Sequence, residues 1–540
     1  MADTLEVDVF DQVTVEGAVE PFLCLSAKAG ENRRVRIFLP ATASGDLRRC
    51  EHELKKAGLR FYDDATLRRA LRAAFKMVKP LPLKVVTTSG WHGRSYVLRG
   101  QIYREFASTE KLILHQGLLE TRPPRHKAWD SRLIRFIGEN GSKSDYLALA
   151  AMIAFAQPLL GLVKASERPV IYFWGQSRTG KTTLAKLIQA LTLPKAADGS
   201  RPPLRSFQFT DRAFEEIMRD HCDSVVVLDE VGAVPDAELE AKLSTLIYTA
   251  SNGTGKARSK GGDADAAYRD LSWRTTTVMT GEKDISQLRA RRVGSGQDAR
   301  LLSVSIPDRE AGGIWTAHMS GDDREAMMNE LTRLSDAHPS QHLPLFVFFL
   351  VRFQDEIKAR YTANVGRIAR HLAGDDTDSL IVAAAKKYAQ LAAAGDELIN
   401  FGLLDWDKDL PLQVVERLWA TNGRAQPSNS ARINEEVDYA RRILMHVGSG
   451  TIGERAAAES GEVGYVCSRN GKRYVMIRKG ELGRLLGADE GVVTTVFRRV
   501  SGLLTASGST PYFQTRLPGG ASGPRFVRLD FDVLTQLAAI

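Results

Sequence analysis

The most constraining stretch of this chain is an unbroken apolar run, Val170-Ile-Tyr-Phe-Trp174, that feeds directly into Gly175-Gln-Ser-Arg-Thr-Gly180-Lys181-Thr182-Thr183. A short apolar run with no alternation reads as a strand buried on both faces. Leu184 to Leu191 then continues as a helix. The spacing G-x-x-x-x-G-K-T between a strand and a helix lets backbone N–H groups wrap phosphate oxygens, and the helix N-terminus adds partial positive charge. Gly175, Thr179, Gly180, Lys181, Thr182 and Thr183 are therefore expected to hold the phosphates of ATP. Lys181 should reach the β- and γ-phosphates, and the Thr182 hydroxyl should hold Mg²⁺. The competing reading is a Gly-rich turn with no ligand.

A second motif argues against that alternative. Ser224-Val-Val-Val-Leu228-Asp229-Glu230 places two acids at the C-terminal end of an apolar strand, the end where open α/β sheets bind ligands. Two adjacent carboxylates without a cation would be costly there. Asp229 is expected to hold Mg²⁺ through water, and Glu230 to orient the attacking water. A third strand, Thr275 to Thr280, ends in Gly281-Glu282. Thr280 reads either as a sensor of the γ-phosphate or as a plain strand-terminal threonine. Arg289-Ala-Arg-Arg-Val293 and Arg300 precede a last strand ending at Ile306. Such an arginine can complete a neighbouring subunit's site; Arg300 ranks first, then Arg292 and Arg291, against the reading of all three as surface cations.

The alternation of strands and helices around these motifs predicts a three-layer α/β core over residues 126–310. Residues 1–125 read as a mixed α+β domain, with strands at Leu5–Phe10 and Val35–Leu39, a helix from Asp64 to Met77 and a hairpin from Trp91 to Tyr103. Residues 311–425 read as helical, and 426–540 as a separate small module. Thr121 to His126 and Thr421 to Ser430 have linker composition. The chain has 540 residues, 74 Lys plus Arg against 65 Asp plus Glu, and a net charge of +9, which favours a polyanionic partner. Its four cysteines are far apart in sequence, which excludes a CxxC zinc ribbon and fits a reducing cytoplasm. Tyr146 to Val163 carries no charge. Gln157-Pro158 and Gly161 break it, so the expectation is a buried helix plus turn and no membrane span.

Two basic regions remain. Ser251 to Gly262 carries Lys256, Arg258 and Lys260 on a Gly-framed segment. As a β-hairpin these three would share one face and could grip a phosphate backbone within a pore; otherwise the segment is a solvated loop. From Gly471 to Ile540 there are ten Lys or Arg against five Asp or Glu. Gly480 to Leu486 and Val492 to Leu504 read as two helices, followed by two strands around a Pro-Gly-Gly turn. That is a winged-helix pattern, with Arg498, Arg499, Arg516 and Arg525 as the natural DNA contacts. The alternative is a module that binds protein or packs on a ring.

The ordered landmarks also carry a resemblance. They are Gly90-Trp91-His92, Ala154-Phe-Ala-Gln-Pro158, Ser177 to Thr183, Leu228-Asp-Glu-Val-Gly232, Asn252-Gly-x-Gly-Lys-x-Arg258, Trp273-Arg274, Thr280-Gly-Glu282, Ala392-Ala-Ala-Gly395 and Phe401-Gly-Leu. From about Lys84 to Leu504 the chain resembles phage- and plasmid-borne ATPases long filed as a domain of unknown function. Their best understood relatives look like self-loading, MCM-like helicases of mobile cassette-chromosome elements. The resemblance implies an AAA+ core, a homo-hexameric ring, Lys256 and Arg258 on a DNA-gripping hairpin before sensor one, and Thr280 at sensor one. The expected function is an ATP-dependent, ring-forming DNA helicase or translocase for replication of a mobile genetic element, or alternatively an AAA+ ATPase that remodels or loads proteins on DNA without unwinding. Departures from the family pattern are Arg178, a long acidic loop after Lys260, and Asp396.

Overall fold

The computed structural model describes residues 5–16, 20–30, 34–61, 63–105, 111–114, 130–166, 168–195, 199–233, 236–256, 271–284, 300–315, 318–376, 379–423, 429–452, 463–487, 490–498, 500, 502–504, 512–516 and 522–539. The chain begins with β1 (Leu5–Val15), β2 (Phe22–Ala29), β3 (Val35–Pro40), α1 (Leu47–Lys56), α2 (Asp64–Phe75) and β4 (Lys79–Val86). Side-chain caps start both helices: Asp46 accepts from the Arg49 amide and Asp63 from the Thr66 amide. Leu67 and Leu71, one helical turn apart, pack with Val9, Leu25 and Ile37 and seal one face of the sheet. After β5 (Gly90–His92), β6 (Ser95–Leu98), β7 (Gln101–Tyr103) and β8 (Leu112–Leu114), the first sheet is completed in the order β3-β2-β1-β4-β8. The hairpin expected from Trp91 to Tyr103 is instead a three-stranded meander, β5-β6-β7. Its second turn is built by Arg99 and Gly100, both at positive φ, the geometry of a two-residue hairpin turn.

The central part runs α3 (Arg132–Asn140), α4 (Asp145–Leu162), β9 (Val170–Trp174), α5 (Lys181–Thr192), β10 (Arg205–Ser206), α6 (Asp211–Asp220), β11 (Val225–Asp229), α7 (Asp236–Asn252), β12 (Thr276–Gly281) and β13 (Leu301–Ser305). Its five strands are all parallel, in the order β10-β11-β12-β9-β13. β12 thus separates the strand that leads into the Gly-rich loop from the strand that ends in Asp229. α4 is one continuous helix through Pro158, correcting the expected helix plus turn. It is long and apolar enough to cross a membrane, but 89% of it is buried inside the fold, as the core helix of a globular domain is.

Five helices follow: α8 (Gly321–Ala337), α9 (His342–Arg352), α10 (Gln354–Ala373), α11 (Ser379–Asn400) and α12 (Leu410–Leu418). One hydrophobic core runs from the central sheet through α4 into these helices, joining Ile171, Phe155, Phe346, Tyr388 and Val415. A helical turn over Trp419–Gly423 then occupies part of the expected second linker. Asn422 there accepts from the Ser305 amide at 2.9 Å, tying the turn back to β13.

The C-terminal module holds α13 (Asn429–Gly448), β14 (Gly464–Arg469), β15 (Lys472–Arg478), α14 (Glu481–Leu486), α15 (Glu490–Arg498), β16 (Tyr512–Arg516), β17 (Ser522–Asp530) and α16 (Phe531–Ala538). The hairpin β14–β15 was not anticipated. It widens the terminal ribbon to four strands, β14-β15-β17-β16. α15 ends at Arg498, before the expected Leu504. Thr494, expected on its polar side, is buried, and its hydroxyl donates to the Glu490 carbonyl at 2.9 Å.

Candidate nucleotide and nucleic-acid sites

The Gly-rich loop joins β9 to α5 and needs glycine where it has it. Gly175 sits at φ 151°, where a Cβ would lie 2.5 Å from the Ile306 carbonyl. Gly180, at φ 105°, caps α5, and a Cβ there would press on Ile314 and Met328. The loop is braced from outside as well: the Ile314 amide donates to the Thr179 carbonyl at 3.1 Å. Inside it, the Thr179 hydroxyl donates to the Gln176 carbonyl at 3.0 Å. Lys181 is the first residue of α5, with its side chain buried. Its Nζ donates to the carbonyls of Gly175 at 2.7 Å and Gln176 at 2.5 Å. Burial holds its pKa below the usual lysine value, opposed by the charges of Glu282, Glu230 and Asp229. A buried ammonium whose hydrogen bonds go to neutral carbonyls has an electrostatic preference for an incoming anion.

Across the loop, the Thr182 hydroxyl is 3.3 Å from Asp229 Oδ1. The same Oδ1 accepts from the Thr280 hydroxyl at 2.6 Å, and Thr280 Oγ1 in turn accepts from the Glu230 amide at 3.0 Å. Thr280 is buried at the C-terminal end of β12, in the gap between β9 and β11. It fixes the carboxylate of one acid and the backbone of the next. Glu230 is exposed and has φ 61°, a strained conformation for a non-glycine residue. A hydroxyl and a carboxylate that converge beside a buried ammonium and a Gly-framed loop fit a magnesium–triphosphate complex in donor type and charge. Thr183 is half-buried in the first turn of α5. Arg300 lies just before β13 with its guanidinium 5.4 Å from the Tyr248 ring of α7, so it packs within its own chain. Arg291 and Arg292 fall outside the described residues.

The basic segment leaves α7 as one side of an antiparallel stem. Gly255 donates its amide to Leu271, Trp273 donates to Gly253, and Thr254 bridges Ser272. α6 clamps this stem. Glu215, fully buried, accepts from the Lys256 amide at 3.0 Å, and Asp211 pairs with Lys256 Nζ at 2.5 Å. Arg258 and Lys260 lie outside the described residues. In the C-terminal module Arg498 and Arg525 are exposed. Arg516 lies on β16, and Arg499 falls outside the described residues.

A cluster that sequence reasoning missed lies at the opposite edge of the central sheet. Asp223, just before β11, is fully buried and accepts from Arg168 at 2.9 Å, Arg274 at 2.6 Å and the Trp91 amide at 2.9 Å. The Tyr96 hydroxyl donates to its carbonyl at 2.8 Å. Trp91 Nε1 reaches the Pro158 carbonyl at 2.7 Å. Hydrogen bonding to Asp223 raises the Arg274 pKa, whereas burial lowers that of Arg168. The landmarks Gly90-Trp91-His92, Gln157-Pro158 and Trp273-Arg274, far apart in sequence, thus meet around one carboxylate. Arg274 directly follows the returning side of the stem, so the cluster joins that stem to the meander β5–β7.

With this geometry in place, comparison with known proteins bears out the resemblance. Residues 25–266 match the family described as "Domain of unknown function (DUF927)". A solved structure titled "SCCmec type IV Cch - active helicase" aligns over 100% of this chain and 95% of its own at 15% identity, with a TM-score of 0.64. At that identity the likeness is one of fold. No curated protein matches the chain.

Proposed function

We propose that this chain is an AAA+ ATPase that forms a ring, hydrolyses ATP and moves along DNA as a helicase. The observation that carries the reading is the insertion of the Thr280 strand between the Lys181 strand and the Asp229 strand. That order brings a loop lysine, a magnesium-type carboxylate, a strand-tip hydroxyl and an adjacent glutamate to one sheet edge. The full-length likeness in fold to a protein titled an active helicase supports the direction of the inference.

In this reading the Gly175–Gly180 backbone and the N-terminus of α5 bind the phosphates, and Lys181 exchanges its loop carbonyls for β- and γ-phosphate oxygens. Thr182 and Asp229 would hold Mg²⁺, which supplies charge neutralisation across the phosphates when bound. Glu230 orients the water that attacks in line and accepts its proton. Thr280 keeps Asp229 and Glu230 in register. Arg300 of an adjacent copy, released from Tyr248, is the first candidate to complete the site. The stem at Gly253–Lys256 presents Lys256, Arg258 and Lys260 to DNA, and the C-terminal module reads as a winged helix contacting DNA through Arg498, Arg499, Arg516 and Arg525.

Strand separation of a forked duplex by the purified chain tests this. ATP-dependent unwinding that disappears in Lys181→Ala is expected. Robust ATP hydrolysis with no strand separation on any forked substrate would favour the rival reading, an ATPase that loads or remodels proteins on DNA.

A further inference from the structure

The N-terminal sheet has one sealed face and one open face. α1 and α2 cover the first through Leu54, Leu67 and Leu71. Among the described residues, the apolar cluster on the second draws on strand residues alone. A β-bulge in β1, with Gln12 at φ 58°, decides what the open face carries. It turns Val13 to the same side as Phe10, so apolar side chains on both sides of the bulge serve one floor.

The register aligns that floor. Phe10 pairs with Cys24, and Cys24 with Phe38, so two half-buried phenylalanines flank a small residue in one row across three strands. One step along the strands, Arg36, Ser26 and Asp8 form the next row on the same face. The result is a cleft of about 420 Å³ floored by Phe10, Cys24 and Leu83. Arg34, Arg36, Arg104 and Lys111 rim it, against the single carboxylate of Asp8. Asp8 is already committed to Arg34 at 3.1 Å and Lys79 at 2.7 Å. Arg36 and Lys111 are exposed and have no acidic partner among the described residues.

The geometry points to this cleft as a binding site for single-stranded nucleic acid, separate from the Lys256 stem and the C-terminal module. Within the cleft the half-buried Phe10 ring offers a stacking face to unpaired bases. The cationic rim stands where the backbone phosphates of those bases would run. A duplex hides its base faces and gains nothing from an apolar floor. An acidic peptide would use the rim but not the Phe10 ring. The inference does not depend on ATP turnover, so it stands or falls separately from the function proposed above.

The test uses the full chain without nucleotide, and a dye-labelled oligothymidylate followed by anisotropy over a range of salt. All variants carry Lys256→Ala and Arg258→Ala, which removes the stem's contribution. Adding Arg36→Glu and Lys111→Glu, both at exposed positions, is expected to weaken binding at least tenfold. The salt slope should fall by about 1.4, the value for two single-strand phosphate contacts. Phe10→Leu keeps the floor apolar but removes a ring, and is expected to weaken binding several-fold with the salt slope unchanged. Unaltered affinity in both variants would overturn the inference. So would a duplex of equal length, or polyglutamate, competing as well as the oligothymidylate does.

Discussion

The hydroxyl of Thr280 lies 2.6 Å from Asp229 Oδ1 and accepts the amide of Glu230 at 3.0 Å, so one buried threonine sets both acids of the candidate nucleotide site. Removing it should disturb turnover more than binding. For Thr280→Val we expect kcat for ATP hydrolysis to fall roughly ten- to a hundredfold, the usual cost of losing an outer partner of a metal ligand. Thr280→Ser should restore most of the rate. Steady-state kinetics of the two variants check this; equal rates in Thr280→Val and wild type would remove Thr280 from the site.

Asp223 makes a different kind of prediction. Its carboxylate is fully buried between Arg168, itself nearly so, and Arg274. Asp223→Ala leaves the Arg168 guanidinium buried without its counter-charge, a change that costs about 3–5 kcal/mol. The melting temperature should drop sharply. Asp223→Leu combined with Arg168→Met should be less damaging than Asp223→Ala alone, because only Arg274, which reaches solvent, is then left without its counter-charge. Calorimetry or thermal fluorescence on the three proteins decides it.

The strand–loop–helix around Lys181 and the apolar strand ending in Asp229 were legible in the sequence because each motif is local: a continuous apolar run punctuated by glycine or acid. Thr280 was legible as a strand tip, but its bonds to Asp229 and Glu230 depend on which strands are neighbours, and strand order is not written in any single segment. The Asp223 cluster was invisible for the same reason. Its partners come from four separate stretches of chain, and a lone aspartate before a strand has no periodicity to betray it. The meander at Gly90–Tyr103 was misread as a hairpin because three-residue strands give too short an alternation. α4 was read as broken because Pro158 normally ends a helix; here tertiary burial on all sides overrides that preference.

Lys256 is held to Asp211 at 2.5 Å, while Glu215 anchors its backbone. Lys256→Ala with Arg258→Ala should leave much of the basal ATP hydrolysis intact and abolish strand separation. Asp211→Asn, which removes this ion pair, should tighten DNA binding without changing basal hydrolysis. Normal unwinding of a forked duplex by the double variant would show that the stem does not grip DNA.

Acid stability should depend on a buried pair that spans the turn between α8 and α9. The rings of His338 and His342 stack with centroids 5.3 Å apart. Burial pulls their pKa values down to about 3 and about 4, with Asp130 opposing in both cases and Arg201 and Arg99 adding to the depression at His338. Below the unfolded value of about 6.5 the unfolded chain takes up protons that the folded chain refuses, so stability is present at neutral pH and lost as pH falls from 6.5 toward 4. Each histidine contributes a slope of up to about 1.4 kcal/mol per pH unit in that window. Replacing His338 by Gln should flatten the acid limb of a melting-temperature profile between pH 7 and pH 5. An unchanged profile would mean that other groups govern acid unfolding.

The central claim is that Lys181, Asp229 and Glu230 form a site that cleaves ATP, with Glu230 acting on water and not on nucleotide binding. The most direct measurement is ATP affinity and ATP turnover on the same preparation of Glu230→Gln, beside wild type and Lys181→Ala. Near wild-type binding with turnover reduced to background in Glu230→Gln, and loss of both in Lys181→Ala, is the predicted result. Hydrolysis at the wild-type rate by Glu230→Gln would contradict the account.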